Sequence, residues 1–179
     1  MAIGTEVNAR QLVKLREFST NLAQRLKEAP GLPSEPTRLA LRVGNENFLV
    51  EMGSAGEIVP LPAIAPVPWT RPWYRGLANV RGRLVGVVDL LELSGRGPLP
   101  GELAQQLLVF GEGLSVNAGI LITRAFGIRN LKDLMALPPA GESAAAWEQT
   151  RYRDADGLAF AELDLREFAR SPAFAAIGV

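Results

Sequence analysis

The feature that constrains this chain most is a change of period near residue 36. Beyond it, apolar residues come in short runs, each closed by a glycine, proline or Asn/Asp signal after about 8 to 12 residues. Residues 38–43 and 47–52 read as two strands joined by a turn at Gly44-Asn45. Residues 57–59 give a short third strand. Residues 60–72 hold five prolines in thirteen positions, which forces an extended, irregular path. Residues 77–80 and 84–88 pair around Arg81-Gly82-Arg83, with Gly82 supplying the left-handed conformation of a three-residue loop. Residues 106–110 and 114–125 supply two or three more strands around Gly111-Glu112-Gly113. Residues 151–153 and 158–163 make a last hairpin over Asp154-Ala155-Asp156-Gly157. This pattern predicts a mainly β chain, and a barrel in preference to a doubly wound sheet.

Helical spacing belongs to the other side of the boundary. Leu12, Leu15, Phe18, Leu22 and Leu26 fall three and four apart, so residues 8–28 read as an amphipathic helix with Asn8 as N-cap and Pro30-Gly31 as its stop. Its apolar face either packs on the protein's own body or docks a partner. Three prolines between residues 30 and 36 mark a linker. Two short helical turns are expected further on, at residues 90–93 after Asp89 and at 165–169. They share the form Asp-Leu-x-Glu-apolar (residues 89–93 and 164–168), and each follows an apolar strand, as two similar small barrels in tandem would show. Residues 137–146, rich in Pro, Gly, Ser and Ala, read as a surface insertion.

Composition closes off most chemistry. The chain has no Cys and no His, so thiolate nucleophiles, disulfides, Cys-bound zinc and the usual histidine triads are excluded. No cofactor site emerges. The glycines at 95, 97 and 101 have the wrong spacing for a dinucleotide loop. Asp154, Asp156 and Gly157 lack the third ligand position of a calcium loop and read as a hairpin turn. Glu162 and Asp164 read as solvated. Nineteen basic residues balance nineteen acidic ones, which argues against a nucleic-acid partner. The prolines at 60, 62, 66 and 68 break the longest uncharged central stretch, so no membrane insertion is expected. Absence of a leader-like N-terminus and of Cys predicts a cytoplasmic protein.

One stretch stands out. Residues 58–88 carry Arg71, Arg75, Arg81 and Arg83 with no acid among them, and Trp69, Trp73 and Tyr74 lie in the same stretch. Arg, Trp and Tyr are the types enriched at binding hot spots; core aromatics beside ordinary surface arginines are the alternative.

The run Trp73-Tyr74-Arg75-Gly76-Leu77-Ala78-Asn79-Val80-Arg81-Gly82-Arg83-Leu84-Val85-Gly86-Val87-Val88-Asp89-Leu90 resembles the CheW-like domain family, whose Asn-apolar-Arg-Gly run leads into a strand closed by Asp-Leu. Asn47-Phe48-Leu49-Val50 resembles that family's opening strand, and Glu57-Ile58 its Glu-Ile pair. Ala55 stands where a Val is usual, Gly86 replaces a common Pro, and Thr123 stands where an Asp is frequent. Gly127-Ile128-Arg129-Asn130-Leu131 and the Pro-Trp-Tyr stretch look most like the branch that serves type IV pilus twitching motility.

The resemblance covers residues 36–175. It implies two intertwined SH3-like five-stranded barrels sharing a hydrophobic core over residues 37–179, preceded by the N-terminal helix and linker of residues 1–36. It also implies a non-enzymatic adaptor that couples the cytoplasmic tip of a methyl-accepting chemoreceptor to the regulatory domain of a CheA-type histidine kinase. A kinase-coupling module of flagellar chemotaxis, or one with a different input, is the alternative, and a nucleic-acid-binding small barrel a remote one. The expected partner-binding residues are Trp73, Tyr74, Arg75, Asn79, Arg81 and Gly82. Glu57 and Arg81 are expected to form a partly buried ion pair.

Overall fold

Turn chemistry sets the register from the start of the domain. The structure, a computed structural model, describes residues 36–141 and 144–179; the helix expected over residues 8–28 lies outside them. Strands β1 (Thr37–Val43) and β2 (Glu46–Glu51) are joined by two residues. Gly44 has φ 58°, as the first central residue of a type II′ turn requires. The chain continues through β3 (Ala55–Pro60), β4 (Ile64–Ala65), β5 (Tyr74–Val80) and β6 (Arg83–Val88) into α1 (Leu90–Leu93). A further hairpin, β7 (Gln106–Phe110) and β8 (Ala118–Ile122), precedes β9 (Arg124–Asn130), β10 (Met135–Leu137), β11 (Arg151–Arg153) and β12 (Ala159–Leu163). Helices α2 (Leu165–Arg170) and α3 (Pro172–Ala175) follow.

The strands form two six-stranded sheets, ordered β10-β11-β12-β2-β1-β9 and β3-β7-β8-β6-β5-β4. The two orders are one pattern used twice. In each, an antiparallel hairpin (β1–β2 or β7–β8) lies parallel to a strand that feeds an Asp-capped helix (β12 or β6). Each hairpin sits in one sheet while the strands that follow it in sequence build the other. The exchange is what intertwines the two halves. It also aligns α1 with α2, so the Asp-Leu-x-Glu-apolar echo occupies equivalent places. Asp89 Oδ1 accepts the Glu92 N–H at 3.2 Å; Asp164 Oδ1 accepts those of Arg166 and Glu167 at 2.9 and 3.0 Å.

Period-two alternation divides the first sheet between two cores. Leu39, Leu41 and Val43 of β1 and Phe48 and Val50 of β2 join a large cluster shared with β5 to β8. Ala40, Leu49 and Phe160 face a smaller one with Leu134, against which Phe126, Leu131, Tyr152 and Leu158 pack. Strands buried on both faces read as continuous apolar runs, which is the sequence texture of β1 and β2. An aromatic plug completes the large core. Phe168 of α2 stands edge-on to Trp147 and Phe110, with centroids 5.4 and 6.1 Å away, and Phe174 of α3 stacks on Trp73 at 6.3 Å.

Several expectations need correction. Each sheet has six strands where five were expected, and each ends in a very short edge strand, β4 or β10, of two or three residues. Strand β4 lies inside the proline-rich path: Gly76, at φ 130°, lets β5 approach it so closely that a Cβ there would meet the Ala65 carbonyl oxygen. Strand β9 runs to Asn130, five residues past the expected end. Glu162 is not solvated: Arg38 Nε lies 2.6 Å from its Oε1.

The Gly76 contact is with backbone, which cannot yield as a flexible side chain would. Gly76→Ala is therefore expected to lower stability by about 2–4 kcal/mol. Gly53→Ala, where a Cβ meets nothing within 4 Å, is expected to stay within about 0.5 kcal/mol. Denaturant unfolding of the two variants measures both.

Candidate protein-interaction surface

The β5–β6 hairpin is built to project its tip. Arg81 (φ 51°) and Gly82 (φ 85°) both take positive φ, and Val80 pairs with Arg83. The loop is thus a two-residue type I′ turn and not the three-residue loop expected. Asn79 Oδ1 accepts the Gly82 N–H at 2.8 Å. The Asn-x-Arg-Gly string thereby specifies its own turn: Gly82 takes the second positive φ, and Asn79 satisfies the N–H left at the tip.

Of the four arginines of residues 58–88 only Arg81 had an expected partner, Glu57, and three of the four have carboxylates supplied from outside the stretch. Arg81 Nε lies 3.0 Å from Glu57 Oε2. Arg75 Nη1 lies 3.3 Å from Glu92 and its Nη2 3.9 Å from the buried Asp89. Arg83 reaches Glu112 at 3.9 Å and donates to Asn117 Oδ1 at 3.1 Å. The Glu57–Arg81 pair spans from β3 at the edge of its sheet to the β5–β6 tip, three strand spacings or roughly 14 Å in a flat sheet. The sheet curls to bring them together. The pair is more exposed than expected, with the Arg81 side chain 80% and Glu57 35% accessible. It is also an ion pair without hydrogen-bond alignment, since Glu57 Oε2 is itself shielded from solvent and accepts no hydrogen bond.

The aromatic residues divide. Trp73 is 7% exposed and sits in the core between Tyr74, edge-on at 6.1 Å, and Phe174. Tyr74 is half-buried, and its ring and hydroxyl occupy the space that a side chain at position 86 would need. Gly86 therefore makes room for Tyr74, a physical reason for a glycine there. Burial pushes the Tyr74 phenol above its ordinary value. Trp69 is the outward aromatic, 84% exposed at φ 61°. Its carbonyl accepts the Val179 N–H at 3.1 Å, and Arg71 N–H donates to Ile177 O at 2.8 Å, so the C-terminal residues pin this loop. Leu84, opposite Asn79 in the register, is 61% exposed between the tip arginines and the buried Val85. Sequence reading did not single out Leu84, because two adjacent apolar residues on a strand leave open which one faces out.

The surface so built is a projecting hairpin with Asn79, Arg81, Arg83 and Leu84 outward, and Trp73 and Tyr74 as its support. A 530 Å³ groove is lined by Trp73 and Leu93, by Pro172, Ala173 and Ala176 at the C-terminal helix, and by the polar Arg71 and Glu92. Among the described residues no His, Cys, Asp and Glu group is placed to hold a metal ion. No helix among them is long and apolar enough to cross a membrane.

A family model described as CheW-like domain matches residues 38–171. Protein PilI of Pseudomonas aeruginosa is 32% identical over 108 residues, which is 57% of this chain and 60% of PilI. The match thus spans somewhat less than two thirds of that relative's length. Among solved structures, the scaffolding protein TtCheW from Thermoanaerobacter tengcongensis superposes with a TM-score of 0.63 at 16% identity, covering 78% of this chain and 95% of that one. At that identity the likeness speaks to the fold.

Three outcomes follow from the geometry. An exposed ion pair couples weakly, so a double-mutant cycle on Glu57→Ala and Arg81→Ala is expected to give a stability coupling below about 1 kcal/mol. Trp73→Ala is expected to cost about 3–5 kcal/mol, as truncation of a buried aromatic does. Tyr74 gains a proton preference on folding, so its contribution is fully present below the unfolded tyrosine value of about 10 and is lost as pH rises through the higher folded value. Tyr74→Phe is therefore expected to flatten the alkaline loss of stability above about pH 10, measured by thermal unfolding across pH.

Proposed function

We propose that this chain, which belongs to the CheW-like domain family, is a non-catalytic scaffold of chemotaxis-type signalling that couples a methyl-accepting chemoreceptor to a CheA-type histidine kinase. The observation that carries this reading is the family match over residues 38–171. The similarity to PilI supports an output in type IV pilus twitching motility. The geometry supports it in a second way. The Asn79–Gly82 turn is self-specified, its cations are neutralised within the chain, and its apolar residue Leu84 is held outward, so the hairpin presents a pre-formed contact surface with little left to order on binding.

The test is binding of the full chain to two purified partners, the cytoplasmic hairpin of a methyl-accepting receptor and the regulatory domain of a CheA-type kinase. Both are expected to bind, and Leu84→Ser is expected to weaken at least one complex by about 1–2 kcal/mol without moving the melting temperature. If neither partner binds at about 100 μM, where a complex worth about 5.5 kcal/mol would register, the adaptor reading is wrong.

A further inference from the structure

Strand β9 is an edge strand, hydrogen-bonded to β1 alone among the described residues. The register sets Arg129 directly opposite Arg38, and Arg124 directly opposite Arg42. Like charges facing each other across a strand pair repel, so each pair calls for something to offset it. At the Arg38 end the chain supplies it, with Glu162 at 2.6 Å. At the Arg42 end it supplies only a ring. The Arg42 and Arg124 guanidinium carbons lie 5.3 and 4.7 Å from the centroid of Phe126. The ring attracts each cation but leaves the charge of both in place.

Among the described residues no carboxylate pairs with Arg42 or Arg124, whereas Arg38, Arg75, Arg81, Arg83, Arg96 and Arg166 each have at least one. Arg42 gives its Nε–H to Asn47 Oδ1 at 3.0 Å, and Asn47 in turn donates to the Ala159 carbonyl at 3.2 Å. That chain of contacts fixes the Arg42 side chain while leaving its two terminal nitrogens free to donate. Two guanidinium groups held against one ring, with donors to spare and no anion of their own, match a carboxylate in charge and in fork geometry.

We propose that Arg42, Phe126 and Arg124 form a docking site for a carboxylate side chain in an extended acidic segment of a partner protein. A protein is favoured over nucleic acid for two reasons. The site is two cations wide, and of its neighbours Arg38 is already neutralised by Glu162, so that with Arg129 the strand pair offers three cations and no longer run of charges to track a phosphate backbone. It also borders a strand edge that is open among the described residues, whose backbone groups can pair with an extended peptide while an acidic side chain enters the clasp. This site goes beyond the adaptor reading and does not rest on it.

The probes are a short fluorescent peptide alternating threonine and glutamate, its glutamine counterpart, and a single-stranded oligothymidylate of equal charge. The glutamate peptide is expected to bind the full chain, and the glutamine peptide at least about tenfold more weakly, a loss of about 1.4 kcal/mol. Arg42→Gln and Arg124→Glu are each expected to reduce glutamate-peptide binding by a similar factor. Arg124→Lys, which keeps the charge and loses the fork, is expected to fall between. Stability gives a second readout, because Arg124→Glu places opposite charges across the strands. It is expected to raise the melting temperature by about 1–3 °C while weakening binding by that factor. The site is refuted by glutamate-peptide binding that ignores Arg124→Glu, by tighter binding of the oligothymidylate, or by a melting temperature that falls in Arg124→Glu, which would make the arginines structural.

Discussion

Asp89 is the point on which the second sheet and its helix depend. Its side chain has no exposed surface, and an ionised carboxylate so placed is costly unless its oxygens are fully engaged. They are. Oδ1 takes the Glu92 N–H that α1 cannot satisfy internally, and Oδ2 takes the Leu99 N–H at 2.8 Å. Arg75 stands 3.9 Å away on β5. The backbone of the same residue donates to Trp73 O at 2.8 Å and accepts from Leu93 N at 3.0 Å. One residue thus joins the hairpin, the helix and the returning loop, and the hairpin tip inherits its position from that junction.

The equivalent Asp164 makes the same cap at the surface, with no buried carboxylate to satisfy. The two halves therefore share a capping device and differ in what surrounds it. The exchange of hairpins between sheets puts β1 and β2 of one half beside β12 of the other, so neither half can bury its apolar runs alone. Phe168 and Phe174, from the last two helices, then fill the space between Trp73, Trp147 and Phe110. Residues more than ninety positions apart in sequence meet there, and a large share of the fold's cooperativity is expected from such non-local contacts.

Much of this was legible in the sequence, and the reasons are local. Short apolar runs with glycine turns announced the strands, and Asp-Leu-x-Glu announced both capped helices. The hairpin motif was visible because its turn is encoded within four residues, Asn79 to Gly82. What was hidden depends on partners distant in the chain. Nothing near Arg75 and Arg83 shows that Glu92 and Glu112 come to meet them, so those two read as unpaired, whereas the Glu57–Arg81 pair was expected from the family resemblance. Trp73 and Trp69 are the same residue type in the same stretch, and only tertiary packing buries one and exposes the other. Strands β4 and β10 are too short for any period to register.

The charge arrangement ties these observations together. Arg96, in the loop after α1, donates to Glu148 at 2.6 and 3.0 Å and to Glu46 at 2.5 Å, above the Phe48 ring at 5.7 Å. It links the loop that belongs to one sheet to the start of β2 and to the turn at Glu148, which belong to the other. Glu148 is 8% exposed, so the guanidinium there satisfies a carboxylate that burial would otherwise make expensive. Arg96 and Arg42 both lie over a phenylalanine ring, yet one has two carboxylates and the other has none. Since the chain carries as many acids as bases, the difference is one of placement and not of supply. Acids are spent where a cation must join two parts of the fold, and among the cations left without one, Arg42 and Arg124 are held together on one ring beside a strand edge that is open among the described residues, where a partner can supply the missing charge.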